Sequence, residues 1–565
     1  MYDYLIIGAG SAGSILAHRL SSDPSITVAL IEAGPDLPPE KTPEIIWDSH
    51  AGLAYFDPRF HWNQLRVYNV SPQLDPNSKP SRYEQARVVG GGSSINGQFA
   101  VRGLVSDYDE WSDYAVQGWS YADLLPFFKK TERDLDFGGS EHGDAGKIPV
   151  RRIFQHEWGH YSRAILKAAI REGFNFYEDL NGTDYDGCFP MPMTNQYGRR
   201  VSSSTAYLDA ATRRRTNLEI FTDSYVSKLL IEGRRAIGVE ILGSQKLTVL
   251  HSSEVIISAG ALHSPALLMR SGIGPGEHLN SHDISIVADL PGVGSNLMEH
   301  PSISLAAHLK GDARMPVHQR RHSSFVTRFS SKVDDCANGD MFLMPMNSAG
   351  WHPLGKSLGT LLGIVNKSYS RGTVRLRSQD ASVEPLVDLN MLGDQRDLTR
   401  LVEVFQLMTR IMRSSDVQKV TTMWFPAGYN DEVRSLMIPN VSNWLKTAAA
   451  RTLLDASSVS RRAMHRFKFS RGIDLKRMEQ DLDYIADWVK STVWPGWHVC
   501  GTCRIGKGND KYAVVDEKCK VHGIQGLRVI DASVMPTIPS ANTNLPTMAI
   551  AEKISSSILH DQDPR

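Results

Sequence analysis

Residues 2–34, YDYLIIGAGSAGSILAHRLSSDPSITVALIEAG, constrain the fold more than any other part of the chain. An apolar run, Tyr4 to Ile7, leads straight into Gly8-x-Gly10-x-x-Gly13. A helix-compatible stretch follows, then a second apolar run, Val28 to Ile31, that ends on Glu32 and Ala33. Strand, turn, helix and strand in this order form a dinucleotide-binding unit. Gly8 permits the tight turn, Gly10 lets the backbone approach a pyrophosphate, and Gly13 lets helix and strand pack closely. Ser11 and Ala12 open the helix, whose exposed N–H groups and dipole favour an anion. Glu32, 19 positions beyond Gly13, is placed to accept hydrogen bonds from ribose hydroxyls.

The bulk numbers exclude several other classes. At 565 residues the chain is too long for one ordinary core. Lys+Arg and Asp+Glu are both 62, so no global field points to nucleic acid or an anionic surface. Five cysteines, an odd and small number, argue against a disulfide scaffold and for a reducing, cytoplasmic setting. The triplets at Asn181 and Asn440 match the glycosylation pattern, which carries no weight without secretion. The glycine motif begins almost at Met1 and leaves no room for a signal peptide. No apolar run approaches the roughly 18–20 residues of a membrane span.

A loop-rich stretch to about residue 80 precedes a second glycine turn, Gly90-Gly-Gly-Ser93-Ser-Ile95-Asn96-Gly97. Strand patterns resume at 218–222, 226–231, 236–242, 246–251 and 255–258, linked by short polar turns. A helix follows around 264–270. The tail holds a strand, 527–531, and a helix-compatible segment, 544–559. Nucleotide-binding texture therefore lies at both ends and in the middle. This predicts an α/β fold: a Rossmann-like cofactor domain built from 1–155, 201–300 and 496–565. An inserted α+β substrate domain of sheet and helices, 156–200 and 301–495, closes over the cofactor. The stretch 451–477 is locally basic; it reads as a solvated helical lid, with a docking surface for an acidic partner as the alternative.

Near the C-terminus, Trp494-Pro-Gly-Trp497-His498-Val-Cys500-Gly-Thr-Cys503-Arg-Ile-Gly506 precedes Val529-Ile-Asp531-Ala532-Ser533 and Asn542-Thr543-Asn544. With the opening GAGSAG, GGGSSINGQFAVRG at 90–103, SAGALHSPALLMRSGIGP at 258–275, PGVGSNLMEHP at 291–301 and SRGTVRLRS at 370–378, these blocks resemble the glucose–methanol–choline family of FAD-dependent oxidoreductases essentially from end to end.

The resemblance implies FAD as cofactor, a small primary alcohol as substrate and O2 as oxidant. His498 matches the family's catalytic histidine, and Asn542 stands where relatives carry histidine or asparagine. A histidine suits removal of the hydroxyl proton, since its ordinary pKa lies near working pH. The Asn542 amide can stabilise the alkoxide. The resemblance further places Gly91, Ser93, Asn96, Gly97 and Phe99 against flavin and pyrophosphate, and the Val226 backbone at the adenine. It puts Asp531 and Ala532 beside the pyrophosphate, Thr543 and Trp62 beside the flavin ring, and Trp497 among the residues that contact the cofactor. Ile95 and its neighbours offer no histidine for covalent attachment, so FAD is expected to be noncovalent. Cys500-x-x-Cys503 reads as two small buried side chains rather than a redox pair, and no metal site is expected because no second ligand pair appears.

The expected substrates are aromatic or heteroaromatic alcohols such as hydroxymethylfurfural, oxidised to aldehydes and onward to acids. Pyridoxine and choline are rival substrates, a carrier other than O2 is a rival acceptor, and a redox-silent hydroxynitrile lyase is a distant alternative. Oligomeric state is left open.

Overall fold

The computed structural model describes residues 1–115, 117–242, 247–316, 319–470 and 472–562. Two seven-stranded sheets organise it. In the first, strands Leu218–Phe221, Val28–Ile31, Tyr2–Ile7 and Leu247–Ile257 run parallel in that order, with Leu527–Val529 parallel to the last. Tyr4 to Ile7 and Val28 to Ile31 are all buried. Their unbroken apolar runs are what a parallel sheet covered on both faces requires.

The runs expected at 246–251 and 255–258 are one strand, not two. Its first half pairs antiparallel with Arg235–Leu242, which pairs in turn with Tyr225–Glu232. Its second half pairs with Tyr2–Ile7. A polar stretch, His251 to Glu254, separates the two apolar halves and masked their continuity.

Helix Ser11–Leu20 packs on the C-terminal helix Asn544–Gln562. Arg19 grips Glu552 through two hydrogen bonds of 2.7 and 2.8 Å, and Tyr207 donates to the same carboxylate. A charge-assisted fork on a buried carboxylate fixes orientation as well as contact. It carries the tail back to the first glycine turn, where Ser11 Oγ meets Asn544 Oδ1 at 2.7 Å.

The second sheet is antiparallel: Thr421–Ala427, Pro301–Leu309, Leu358–Val365, Met341–Met346, Phe325–Phe329 and Gly187–Pro190. Trp494–Pro495 adds to Pro301–Ser302. Helix Gln395–Arg413 seals one face with Leu401, Val404, Phe405, Met408 and Met412, spaced three and four apart. Among the described residues no helix is long and apolar enough to cross a membrane. Cys500 and Cys503 are free thiols packed in the core, where burial raises both pKa values.

Candidate active site

A cavity of about 1030 Å³ runs between the two sheets. At one end lie the two glycine turns, which interlock: Gly90 N–H donates to Ala9 O at 2.7 Å. A methyl on Gly13 would lie 1.9 Å from Gly8 O, so the helix can leave the strand only with glycine there. A methyl on Gly10 would meet nothing nearer than Gly91 Cα at 4.0 Å. The space before the helix N-terminus is therefore open, and no side chain caps that terminus. The backbone at Ser11 and Ala12, which line the cavity, is free for an anionic group.

Glu32 is buried beneath this turn, its oxygens accepting from Ala9 N–H at 2.9 Å and Gly34 N–H at 2.8 Å. Burial raises its pKa and the two donors oppose that. It thus braces the loop while also lining the cavity. Asp531 does the same for the next turn, accepting from Gly260 N–H, Ser264 Oγ–H and Ser533 N–H.

At the other end the tail meets the second sheet. His498 Nε2 lies 2.8 Å from Asn542 Nδ2, and His498 Nδ1 lies 2.9 Å from His300 Nδ1. Because the amide is the donor, the His498 proton sits on Nδ1 and His300 accepts it; the assignment follows from the hydrogen-bond network. Burial holds His498 down to about 4 and holds His300 well below its ordinary value, so both rings rest neutral.

Below them Glu299 accepts the backbone N–H groups of His300 and His498, each at 2.8 Å, and the Tyr83 hydroxyl at 2.9 Å. Burial pushes this carboxyl up to about 7 against those donors. Trp497, just before the histidine, has φ +60, a left-handed conformation that costs energy for a bulky residue. A methyl on the preceding Gly496 would sit 2.9 Å from His498 Nδ1.

Of the residues singled out in the sequence, Gly8, Gly10, Ser11, Ala12, Glu32, Ala33, Trp62, Gly91, Asn96, Gly97, Phe99, Val226, Trp497, His498, Asp531, Ala532, Asn542 and Thr543 line this one cavity. Two take other places. Gly13 is spent on helix packing, and the Ser93 hydroxyl turns inward to Gly90 O at 2.6 Å. Trp62 stacks on His263, 4.4 Å between ring centres, and meets Tyr225 edge-on. That places it beside the strand residue preceding Val226, whose backbone was expected to meet adenine, whereas Trp62 was expected at the flavin ring.

The sequence reading missed His300, Glu299 and Tyr83. The Glu-His pair stands in PGVGSNLMEHP, where a glycine turn runs into a strand, and that was the available signal. Nothing local marks Glu84, whose carboxylate pairs with Arg434 and accepts from Trp497 Nε1.

A family model described as GMC oxidoreductase matches residues 2–302, and its C-terminal counterpart matches 368–551. The chain is 38% identical over 568 residues to the 5-(hydroxymethyl)furfural oxidase of Methylovorus sp. (strain MP688), with 99% of each chain covered. It is 33% identical to an oxygen-dependent choline dehydrogenase of Burkholderia thailandensis, covering 99% of this chain and 93% of that one. Its fold superposes on the pyridoxine 4-oxidase of Mesorbium loti with a TM-score of 0.82 and 27% identity, covering 99% of both chains. Matched end to end in sequence and in fold, the chain belongs to the GMC (glucose–methanol–choline) oxidoreductases and is an FAD-dependent enzyme of that family.

Proposed function

We propose that the protein oxidises aromatic or heteroaromatic primary alcohols, of the hydroxymethylfurfural kind, to aldehydes with reduction of O2 to hydrogen peroxide. The observation that carries this reading is the His498–Asn542 pair, 2.8 Å apart and facing the same cavity as the glycine turns. When bound, FAD supplies the hydride acceptor and the route of electrons to oxygen.

The chain's own residues handle the proton. A substrate hydroxyl replaces the Asn542 amide at His498 Nε2, which takes the proton as a general base. The second N–H of Asn542 then donates to the alkoxide oxygen. The Nδ1 proton shared with His300 holds the ring in the tautomer that leaves Nε2 free. Glu299 accepts the backbone N–H groups of both histidines and so holds the two rings in position. A hydrated product aldehyde presents the same CH–OH group, which extends the reading to acids.

Noncovalent FAD is part of the proposal: Gly91 to Phe99 carry no histidine. Ser11, Ala12, Asn96, Gly97, Asp531 and Ala532 would hold the phosphates and ribityl chain, with Trp497 and Thr543 at the ring. The division into cofactor segments 1–155, 201–300 and 496–565 and substrate segments 156–200 and 301–495 is supported by the strands each sheet draws on. A cytoplasmic setting is supported by the five free thiols.

The test is anaerobic mixing of the yellow protein with hydroxymethylfurfural, benzyl alcohols, pyridoxine and choline, followed by air. Bleaching by a furan or benzyl alcohol, with colour and peroxide returning in air, is the expected result. Bleaching that persists in air would move the acceptor to another carrier. No bleaching with any of them would overturn the substrate class.

A further inference from the structure

The segment 441–470 is sharply unbalanced in a chain whose charge is zero overall. It holds Lys446, Arg451, Arg461, Arg462, Arg466 and Lys468 against a single acid, Asp455. It folds as helices Val441–Ala456 and Ser458–Met464 and the turn His465–Phe469.

The longer helix buries Leu454 and packs Ala450 toward the core, yet the rest of its pattern is reversed. Its polar Asn443 and Thr447 are buried, satisfied by Ser435 O and by Asn443 O at 2.7 and 2.6 Å. Val441, Trp444, Leu445 and Leu453 face water instead, and Val459 and Phe467 extend the patch along the chain. Trp444, Leu445 and Phe467 are 49%, 57% and 65% exposed. A surface helix ordinarily turns its apolar stripe to the core, and a concentrated exposed patch marks a contact surface.

The cations divide into two groups. Arg451 and Arg461 are engaged by Asp455 and by Leu454 O. Lys446, Arg462, Arg466 and Lys468 are exposed and make no ion pair among the described residues. The segment also forms the rim of the cavity. Apart from Gly92, the exposed residues lining that cavity are Asn430, Glu432, Lys446 and Lys468.

We propose that the 441–470 hairpin docks the enzyme on an anionic lipid surface, with the cavity mouth turned toward it. Trp444, Leu445 and Phe467 enter the interface while the four exposed cations, Arg466 lying over the Phe467 ring, meet the headgroups. Large apolar side chains beside basic ones on consecutive exposed helical segments are the chemistry of interfacial helices. A second copy of the chain fits this face less well, because a two-fold contact would press the same four cations together. Docked in this way, the enzyme admits alcohols dissolved in the lipid without their crossing bulk water.

The experiment is co-sedimentation of the full-length FAD-loaded protein with vesicles. Some are phosphatidylcholine alone, and some contain about one-third phosphatidylglycerol. Binding to the anionic vesicles, weak binding to the neutral ones and release by salt are expected. Arg462→Glu with Arg466→Glu, and separately Trp444→Ser with Leu445→Ser, should each weaken partition by about tenfold or more. Flavin content and turnover of a water-soluble alcohol should stay unchanged in both. No binding to anionic vesicles at low salt, or equal binding to both kinds, overturns the proposal. So does a dimer in sedimentation velocity that Trp444→Ser with Leu445→Ser converts to monomer.

Discussion

The two sheets build opposite kinds of binding surface. The parallel sheet meets the cavity with loops at its strand ends, and what it offers there is mostly backbone: glycine turns, a bare helix N-terminus and two buried acids that brace them. The antiparallel sheet meets it with one face. Ser302, Ser304 and Ala306 line the cavity, as do Met344 and Met346, then Thr360, Leu362 and Ile364, then Phe425 and Ala427. These are alternate positions on neighbouring strands, as the pleat requires. A backbone surface recognises a constant cofactor, whereas a side-chain surface can be rewritten without disturbing the sheet beneath it. His498 and Asn542 stand at the seam.

The sharpest break in this comparison comes from the seam itself. His498→Ala should slow anaerobic flavin reduction by about 10²–10⁴-fold while FAD stays bound, since the phosphate end is untouched. Stopped-flow reduction beside the flavin spectrum checks both halves, and a wild-type rate would remove the base assignment.

On the backbone side, Gly13→Ala forces a methyl against Gly8 O. It should cost about 3 kcal/mol and yield protein poor in flavin, read by chemical unfolding and cofactor content. Glu32→Ala should likewise lose FAD on dialysis, because Ala9 and Gly34 N–H then lack their acceptor.

His300→Ala tests positioning across the seam. Losing one hydrogen bond to a ring that becomes charged should lower turnover about ten- to a hundredfold. KM should be little changed, and an unaltered kcat would show that Asn542 alone orients His498. On the side-chain surface, Met344→Ala should shift the ratio of kcat/KM between a bulky and a small alcohol by about tenfold, with flavin content unchanged.

The smallest effect is the pH response. Burial holds His498 down to about 4, so the neutral base persists well below the ordinary histidine range near 6.5. The acid limb of kcat/KM should therefore fall near pH 4–5, and not near 6.5. The same depression contributes stability that is complete above about 6.5 and is lost as pH falls toward 4. A kinetic limb centred at 6.5 would show that the ring is solvated in the working enzyme.

Much of the cofactor end was readable before folding. A glycine turn announces itself because only glycine tolerates the contact that Gly13 makes, and apolar runs of four to six residues announce buried parallel strands. His498 and Asn542 were readable through the company they keep in the chain. His300 was not, because one histidine just before a strand looks like any other until the second sheet carries it to within 2.9 Å of another 198 positions away. The single strand Leu247–Ile257 was read as two for a related reason: its polar middle suits a turn locally, and only pairing on both sides overrides that. The neighbours of Trp62 were equally hidden, because its stacking on His263 and its edge contact with Tyr225 are tertiary facts.

By itself, the sequence determined where the backbone must turn tightly and which runs must be buried, and these are consequences of local sterics and of the period of hydrophobic residues that need no partner segment. That His498 and Asn542 work as a base and an amide was implied only by the family resemblance, since the two stand 44 positions apart. Only the tertiary structure decided the tautomer of His498, the depressed basicity of both histidines, the inward turn of the Ser93 hydroxyl and the outward turn of the apolar helix face. Each depends on which groups are brought into contact and how much water is excluded, and both quantities come into being when distant strands pair and the two sheets close on one cavity.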